Sequence, residues 1–267
     1  MESHVSFYVA DHVATVTLAQ TTMPPAFFGE MEATFRKISA DDRVRAVIVR
    51  SAGKAFSYGL DLQAAFQELG PHLTGGGAAG PRSELHAQIK RLQSAFDAVA
   101  ACPAPVIAAV HGWCVGGGLD LAAACDIRLA TADARFSLRE TKIAMVADLG
   151  SLQRLPPIIG QGRTRELAFT GKDVTAARAE AMGLVNEVFA DQEALLAGAR
   201  AMAAEIAANP PLAVRGVKQV LAFGEGKTVA EGLAYVAAWN SAFLASEDLG
   251  EAFKAFTEKR PPQYKGR

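Results

Sequence analysis

The sequence predicts an α/β protein in which a mixed body is followed by a helical C-terminal third. Three observations carry this. Short β-type runs alternate with helical periodicity over the first 160 or so residues. Beyond them the strand signals thin and alanine-rich helical stretches take over. One strand–turn–helix pattern also occurs twice, at a constant offset.

The elements follow in order. "VSFYV", "VATVTL" and "VRAVIV" read as strands, being rich in β-branched residues. Between the second and third, "AFFGEMEATFRKISAD" has apolar positions at steps of three and four, the period of an amphipathic helix. "PVIAAV" and "DIRLAT" read as further strands. The Gly- and Pro-rich run "GPHLTGGGAAGPRSE", residues 70–84, reads as a loop, either a solvent-exposed connector or a lid. "DQEALLAGARAMAAEIAANPP" and the stretch from "VAEGLAYVAAWNSAFL" onwards read as helices. The expected division is a mixed core over residues 1–200 and a helical C-terminal region over 201–267.

The repeated pattern is "AVIVRSAGKAFSYGLDLQAA" and "PVIAAVHGWCVGGGLDLAAA". It aligns Val47 with Val106, Gly59 with Gly118 and Asp61 with Asp120. In such units each turn presents backbone N–H groups at a helix start, where the helix dipole favours negative charge.

Composition excludes several classes. Half the 267 residues are hydrophobic and the formal charge is −1, which suits a large buried core and gives no general affinity for nucleic acid or anionic membrane. No apolar run approaches the roughly 18–20 residues of a membrane span. The N-terminus "MESHVSFYVADHV" has no basic region followed by an apolar stretch, so no export signal is expected. The closing "KGR" is not a Ser-Lys-Leu peroxisomal address. Cys102, Cys114 and Cys125 are odd in number and lack metal-ligand spacing, which suits reduced core thiols rather than disulfides or a zinc site. The expected setting is the cytoplasm, with no metal and no cofactor.

"GWCVGGGLD" is not a phosphate loop. Gly112 and Gly117 have the spacing, but Gly118 and Leu119 stand where a Lys and a hydroxyl residue are needed. The dinucleotide pattern G-x-G-x-x-G is also absent. What remains is a turn where backbone approaches a ligand closely, with N–H groups able to hold a carbonyl oxygen, or a tightly packed turn without a ligand.

"PVIAAVHGWCVGGGLDLAAACDIRLATADARFS" resembles the signature of the crotonase, or enoyl-CoA hydratase/isomerase, superfamily. "AGKAFSYGLDL", "TGKDVTAARAEAMGLVNEVF" and "EDLGEAFKAFTEKRPPQYKG" resemble further segments of that family in the same order. The resemblance implies a superhelix of ββα units with a helical C-terminal region used for trimerisation. It implies acyl-CoA thioester substrates and a homotrimer, or a hexamer of paired trimers. It places an oxyanion hole at the N–H groups of Leu60 and Gly117, and the CoA adenine along the backbone of Ser57 and Tyr58. One departure concerns "TLAQTTMPPAFF", which is shorter than the family's basic loop and carries no basic residue to hold CoA phosphates.

The acids separate the subgroups. Family hydratases use two glutamates; here those positions hold Asp120 and Glu140, and Asp120 is one methylene shorter. Asp148 adds a third acid. This set, with "ADLGSLQRLP", "ELAF" and "YVAAWN", resembles the 3,5-dienoyl-CoA to 2,4-dienoyl-CoA isomerases. That reaction removes a proton from C2 and returns one to C6, carbons too far apart for one short carboxyl to serve easily, so two placed carboxyls suit it. By resemblance Glu140 serves C2 and Asp148 serves C6, an order that can be reversed, while Asp120 orients or polarises the site. Three neighbouring carboxyls cannot all ionise freely, so at least one should have a raised pKa.

Each acid has a bland alternative. Asp61 and Asp120 can cap or complement a helix start, Glu140 can be a solvated charge between Arg139 and Lys142, and Asp148 can cap the segment opening at Gly150. His111 beside the glycines is expected to be a structural imidazole bonded to backbone. A hydratase or positional enoyl-CoA isomerase is the alternative enzyme. An RNA-binding member would need a lysine-rich helix face, and "AQIKRLQSAF" offers only Lys90 and Arg91.

Overall fold

The computed structural model describes residues 3–74 and 79–267. A hairpin opens the chain: β1 (Val5–Ala10) and β2 (Val13–Leu18) pair antiparallel. Its two-residue turn holds Asp11 and His12 at φ 47° and 66°, the left-handed geometry that matches strand twist. β4 (Ala46–Ser51), β6 (Val106–Val110), β8 (Ile127–Thr131) and β11 (Glu187–Phe189) extend the sheet in parallel, in the order β1-β2-β4-β6-β8-β11. All five residues of β6 are buried, as a central parallel strand covered on both faces requires.

The long strands β2, β4, β6 and β8 are each followed by a short one and then by helix. β2 leads to β3 (Thr22–Met23) and α1 (Pro25–Ser39). β4 leads to β5 (Gly59–Leu60), α2 (Leu62–Thr74) and α3 (Ala79–Ala100). β6 leads to β7 (Trp113–Val115) and α4 (Gly117–Ala124). β8 leads to β9 (Arg135–Ser137), a 3-10 turn over Glu140–Ile143, α5 (Ser151–Ile159) and α6 (Gln161–Thr170). The short strands pair among themselves, β3 with β5 and β7 with β9, the latter also with β10 (Val174–Thr175). These are the ββα units of a crotonase-like superhelix. The sequence echo is a spatial one, because Val47 pairs with Val106 in the parallel register of β4 and β6.

Alternation along β4 divides the core. Val47 and Val49 face a cluster that holds Phe27, Phe28, Phe35 and Phe96 of α1 and α3. Ala46 and Ile48 face the other side, where α8 (Gln192–Ala208) lays Leu195, Ala199 and Ala203 on the sheet after α7 (Ala176–Ala181). Residue 200, the expected end of the mixed core, therefore falls inside a helix that packs on the main sheet.

Beyond it stand α9 (Pro211–Gly224), α10 (Val229–Phe243) and α11 (Glu247–Glu258). α10 has no buried residue. Among the described residues no helix is long and apolar enough to cross a membrane.

The reading of residues 70–84 as a loop is corrected. Residues 70–74 end α2 and residues 79–84 begin α3; residues 75–78 lie outside the described residues. Composition misleads here because Pro81 sits in the first turn of α3, where a helix needs no N–H from that residue.

Candidate active site

Two glycine turns meet at the ends of β5 and β7. Gly59 has φ 86°, and a Cβ there would lie 2.7 Å from the Val115 carbonyl oxygen and 3.0 Å from the Gly117 nitrogen. Only glycine permits both the conformation and the approach. The turns are locked by backbone: Ser57 N–H donates to Trp113 O and Val115 N–H to Ser57 O, each at 2.9 Å. Gly117 opens α4, so its N–H has no partner within the helix. Asp61 N–H donates back to Met23 O of β3 at 3.0 Å. The preceding Leu60 nitrogen lies 3.6 Å from where a Gly117 Cβ would be. Leu60 and Gly117 are thus brought together, and both line the same cavity.

That cavity has a volume of about 150 Å³ and is mostly apolar, with Leu62, Ile143, Met145 and Leu149 in its wall. Glu140 and Asp148 also line it. Glu140 opens the 3-10 turn, and its Oε1 lies 3.0 Å from where a Cβ on Gly116 would be. Its Oε2 is buried without a hydrogen-bond partner, so the bland reading of a solvated charge does not hold. Ala144, at φ 58°, then reverses the chain so that Asp148 returns to the same cavity.

Asp120 is 1 % exposed, in the first turn of α4, and does not line the cavity. Its Oδ1 accepts the N–H of Ser151 at 2.6 Å and the Ser151 hydroxyl. It therefore caps α5, the role that Asp148 held as an alternative in the sequence. Asp148 lies two residues before the Gly150 N-cap, which has no side-chain cap bond.

Burial dominates the electrostatics of all three acids. It pushes Asp120 up to about 7, with the Ser151 bonds pulling down and the charges of Glu140 and Asp148 pushing further up. It raises Glu140, where the main-chain N–H bonds oppose and Asp148 adds to the rise. It raises Asp148 as well. Burial thus shifts all three acids towards the protonated form.

The remaining candidates divide. Tyr58 lines the cavity and is half-exposed at its mouth. Ser57 faces inward: its hydroxyl donates to Thr21 O at 3.2 Å and accepts Gly59 N–H at 3.0 Å, while its backbone groups bind β7. Asp61 caps α2 through Ala64 N–H at 3.0 Å. His111 Nε2 bonds the Gly53 carbonyl at 2.9 Å, the structural role expected of it. Thr21, in the segment without basic residues, accepts Tyr58 N–H at 2.6 Å, so that segment braces the turn.

Sequence reasoning missed two cations. Lys54 is exposed, with Nζ 5.9 Å from the centre of the Tyr58 ring. Arg139 lines the cavity, pairs with Asp173 and lies 5.6 Å over the Trp113 ring. The signal for Lys54 was its place four residues before Tyr58; Arg139 carried none. The three cysteines are free and buried, and burial raises every thiol, which leaves none poised as a nucleophile. Among the described residues no group of three or more His, Cys, Asp or Glu side chains is arranged to hold a metal ion.

An apolar cavity with backbone donors at one end and buried carboxyls beside it, on a superhelix of ββα units, defines a crotonase-type site. The chain belongs to the enoyl-CoA hydratase/isomerase family, whose profile matches residues 10–267. It is 41% identical to a mitochondrial Delta(3,5)-Delta(2,4)-dienoyl-CoA isomerase of Dictyostelium discoideum, over 99% of this chain and 90% of that one. It is 42% identical to a peroxisomal Delta(3,5)-Delta(2,4)-dienoyl-CoA isomerase of Arabidopsis thaliana, over 89% and 86%. Its fold superposes on the crystal structure of an enoyl-CoA hydratase from Bacillus anthracis with a TM-score of 0.88 and 31% identity, covering 99% of this chain and 100% of that one.

These relatives correct the expected cytoplasmic setting, since they are mitochondrial or peroxisomal proteins. Reduced buried thiols suit any reducing compartment, and compartment addresses are read by receptors rather than by the fold. Neither observation separates a cytoplasm from an organelle matrix.

Proposed function

We propose that the chain is an isomerase of unsaturated acyl-CoA that converts a 3,5-dienoyl-CoA into the 2,4-dienoyl-CoA. The observation that carries this reading is the placement of two burial-raised carboxyls, Glu140 and Asp148, in one apolar cavity with Leu60 and Gly117.

The thioester oxygen is held by the N–H groups of Leu60 and Gly117. Ionised Glu140 takes a proton from C2, and the electron pair left behind forms C2=C3 through the thioester enolate. The 3,4 pair moves to C4=C5. The C5=C6 pair takes a proton at C6 from neutral Asp148. One proton leaves the substrate and one returns, so the pair ends with its protonation exchanged. Burial raises both carboxyls, so each holds a proton more readily than it would in water, which suits a pair that takes one proton and returns another. Donors fixed in place before charge develops on the thioester oxygen lower the barrier, typically by about 3 kcal/mol for each one.

The cavity volume fits this chemistry. An apolar cavity of about 150 Å³ holds a benzene-sized group, which corresponds to the C1–C6 unit that reacts. Hydration is disfavoured because Asp120, at the position of a hydratase glutamate, turns away to Ser151. Tyr58 lines the cavity and Lys54 lies beside its ring, a pair placed to meet the CoA, and the proton transfer as proposed uses no cofactor or metal.

We also propose that α9–α11 mediate self-assembly into a homotrimer, with paired trimers as the larger form. Their large apolar side chains are exposed: Leu221, Leu233, Phe253 and Phe256 are each more than 60 % accessible. Exposed large apolar side chains on these three helices support that reading.

The direct test supplies purified protein with a 3,5-dienoyl-CoA and follows the near-ultraviolet absorbance of the conjugated 2,4-dienoyl thioester. A rise is expected. No rise, together with water addition to crotonyl-CoA, would make the protein a hydratase.

A further inference from the structure

Asp148 belongs to no helix or strand. It sits in the run between the 3-10 turn and α5, so its backbone has to be held from outside if its carboxyl is to reach a fixed carbon. The run and the start of α5 are held at Asp148, Leu149 and Ser151 by bonds from other parts of the chain. Gln93 of α3 donates from Nε2 to the carbonyl oxygen of Asp148 at 2.6 Å. Arg154 donates from Nη1 to the Leu149 carbonyl at 3.2 Å and from Nη2 to Asp97 of α3 at 2.6 Å. Ser151 is tied to Asp120.

Of these ties, the Gln93 bond grips Asp148 itself. Its polarity is set by a second contact, since Lys90 Nζ donates to Gln93 Oε1 at 2.8 Å. An ammonium group can only donate, so the amide oxygen must face Lys90 and the NH₂ group must face Asp148. Gln93 is half-buried and does not line the cavity. Any effect it has on the reaction passes through Asp148.

We propose that Gln93, oriented by Lys90, is a positioning residue that sets the reach of the Asp148 carboxyl towards C6. This rests on the reading of Asp148 as the acid at C6. A backbone shift of about 1 Å at a reacting group can cost on the order of 100-fold in rate, although the lost hydrogen bond is small. The proton transfer at C2, made by Glu140 from a different turn, is independent of Gln93.

The test compares Gln93→Met, which keeps the length and removes the donor, with the unaltered protein on 3,5-dienoyl-CoA in deuterated water. Roughly a 10-fold fall in kcat is expected, with KM unchanged and deuterium exchange at C2 of the substrate retained. Lys90→Met should shift kcat in the same direction by less, and it keeps the test open if Gln93→Met folds poorly. Equal losses of C2 exchange and isomerisation would mean that Gln93 is merely structural and would overturn the proposal. Asp148→Asn separates the two layers. If it abolishes isomerisation while Gln93→Met and Lys90→Met leave kcat unchanged, the positioning role fails alone. If Asp148→Asn leaves isomerisation intact, the reading beneath it fails.

Discussion

Asp120 and Ser151 lie 31 residues apart and meet at a single oxygen, Asp120 Oδ1, which accepts both the N–H and the hydroxyl of Ser151. This joins the start of α4, which carries the Gly117 N–H, to the start of α5, which follows Asp148. A carboxyl recruited by sequence as a possible catalyst is thus a tie between the two halves of the site.

The tie has a pH signature. Burial raises Asp120 from 3.8 to about 7, so the folded state binds the proton more tightly than the unfolded chain. The contribution of Asp120 to stability is therefore greatest below pH 4 and falls as pH rises towards 7, by roughly 4 kcal/mol in all. Asp120→Asn cannot ionise and should flatten this decline when unfolding by denaturant is compared at pH 5 and pH 7.5. An unchanged decline would show that Asp120 is not protonated in the folded state.

Catalysis should depend on pH through the other two acids. Glu140 must be ionised and Asp148 neutral, and burial raises both above their ordinary values of 4.5 and 3.8. The rate should fall on the acid side as Glu140 protonates and on the alkaline side as Asp148 ionises, with each limb displaced upward from the ordinary value of its acid. A profile of kcat/KM without an alkaline limb would remove the neutral acid from the mechanism.

Gly59→Ala tests the donor turn. Its Cβ would meet the Val115 oxygen at 2.7 Å in a backbone conformation that alanine resists. Stability should drop by about 1–3 kcal/mol. Displacing the adjoining Leu60 N–H should lower kcat by roughly 100-fold. Steady-state kinetics on the folded fraction checks this, and a kcat within twofold of normal would contradict it.

Self-assembly is tested on α10. Leu233 is 64 % exposed on a helix without a buried residue. Leu233→Glu should shift the mass measured by light scattering from a trimer or hexamer towards a monomer. A monomer before substitution would exclude the proposed interface.

Much of the fold was legible because its signals are local. β4 and β6 show as apolar β-branched runs, and the echo that aligns Val47 with Val106 suggested stacked units; in the fold these two residues pair in parallel register. The helices of residues 70–84 were not legible, because glycine and proline counts say nothing of position within a helix. At the site, the spacing of Glu140 and Asp148 was readable through a family resemblance, and the structure brings both to one cavity. The partner of Asp120 was not readable, since nothing in the sequence links it to Ser151. Gln93 was equally hidden, since a helix-surface glutamine gives no sign of the carbonyl that it binds.

The central claim is that Glu140 and Asp148 divide the reaction between C2 and C6. Asp148→Asn with 3,5-dienoyl-CoA in deuterated water tests it most directly. Isomerisation should fall by about 100-fold or more, while deuterium exchange at C2 of recovered substrate persists. Loss of both together, or isomerisation at the normal rate, would contradict it.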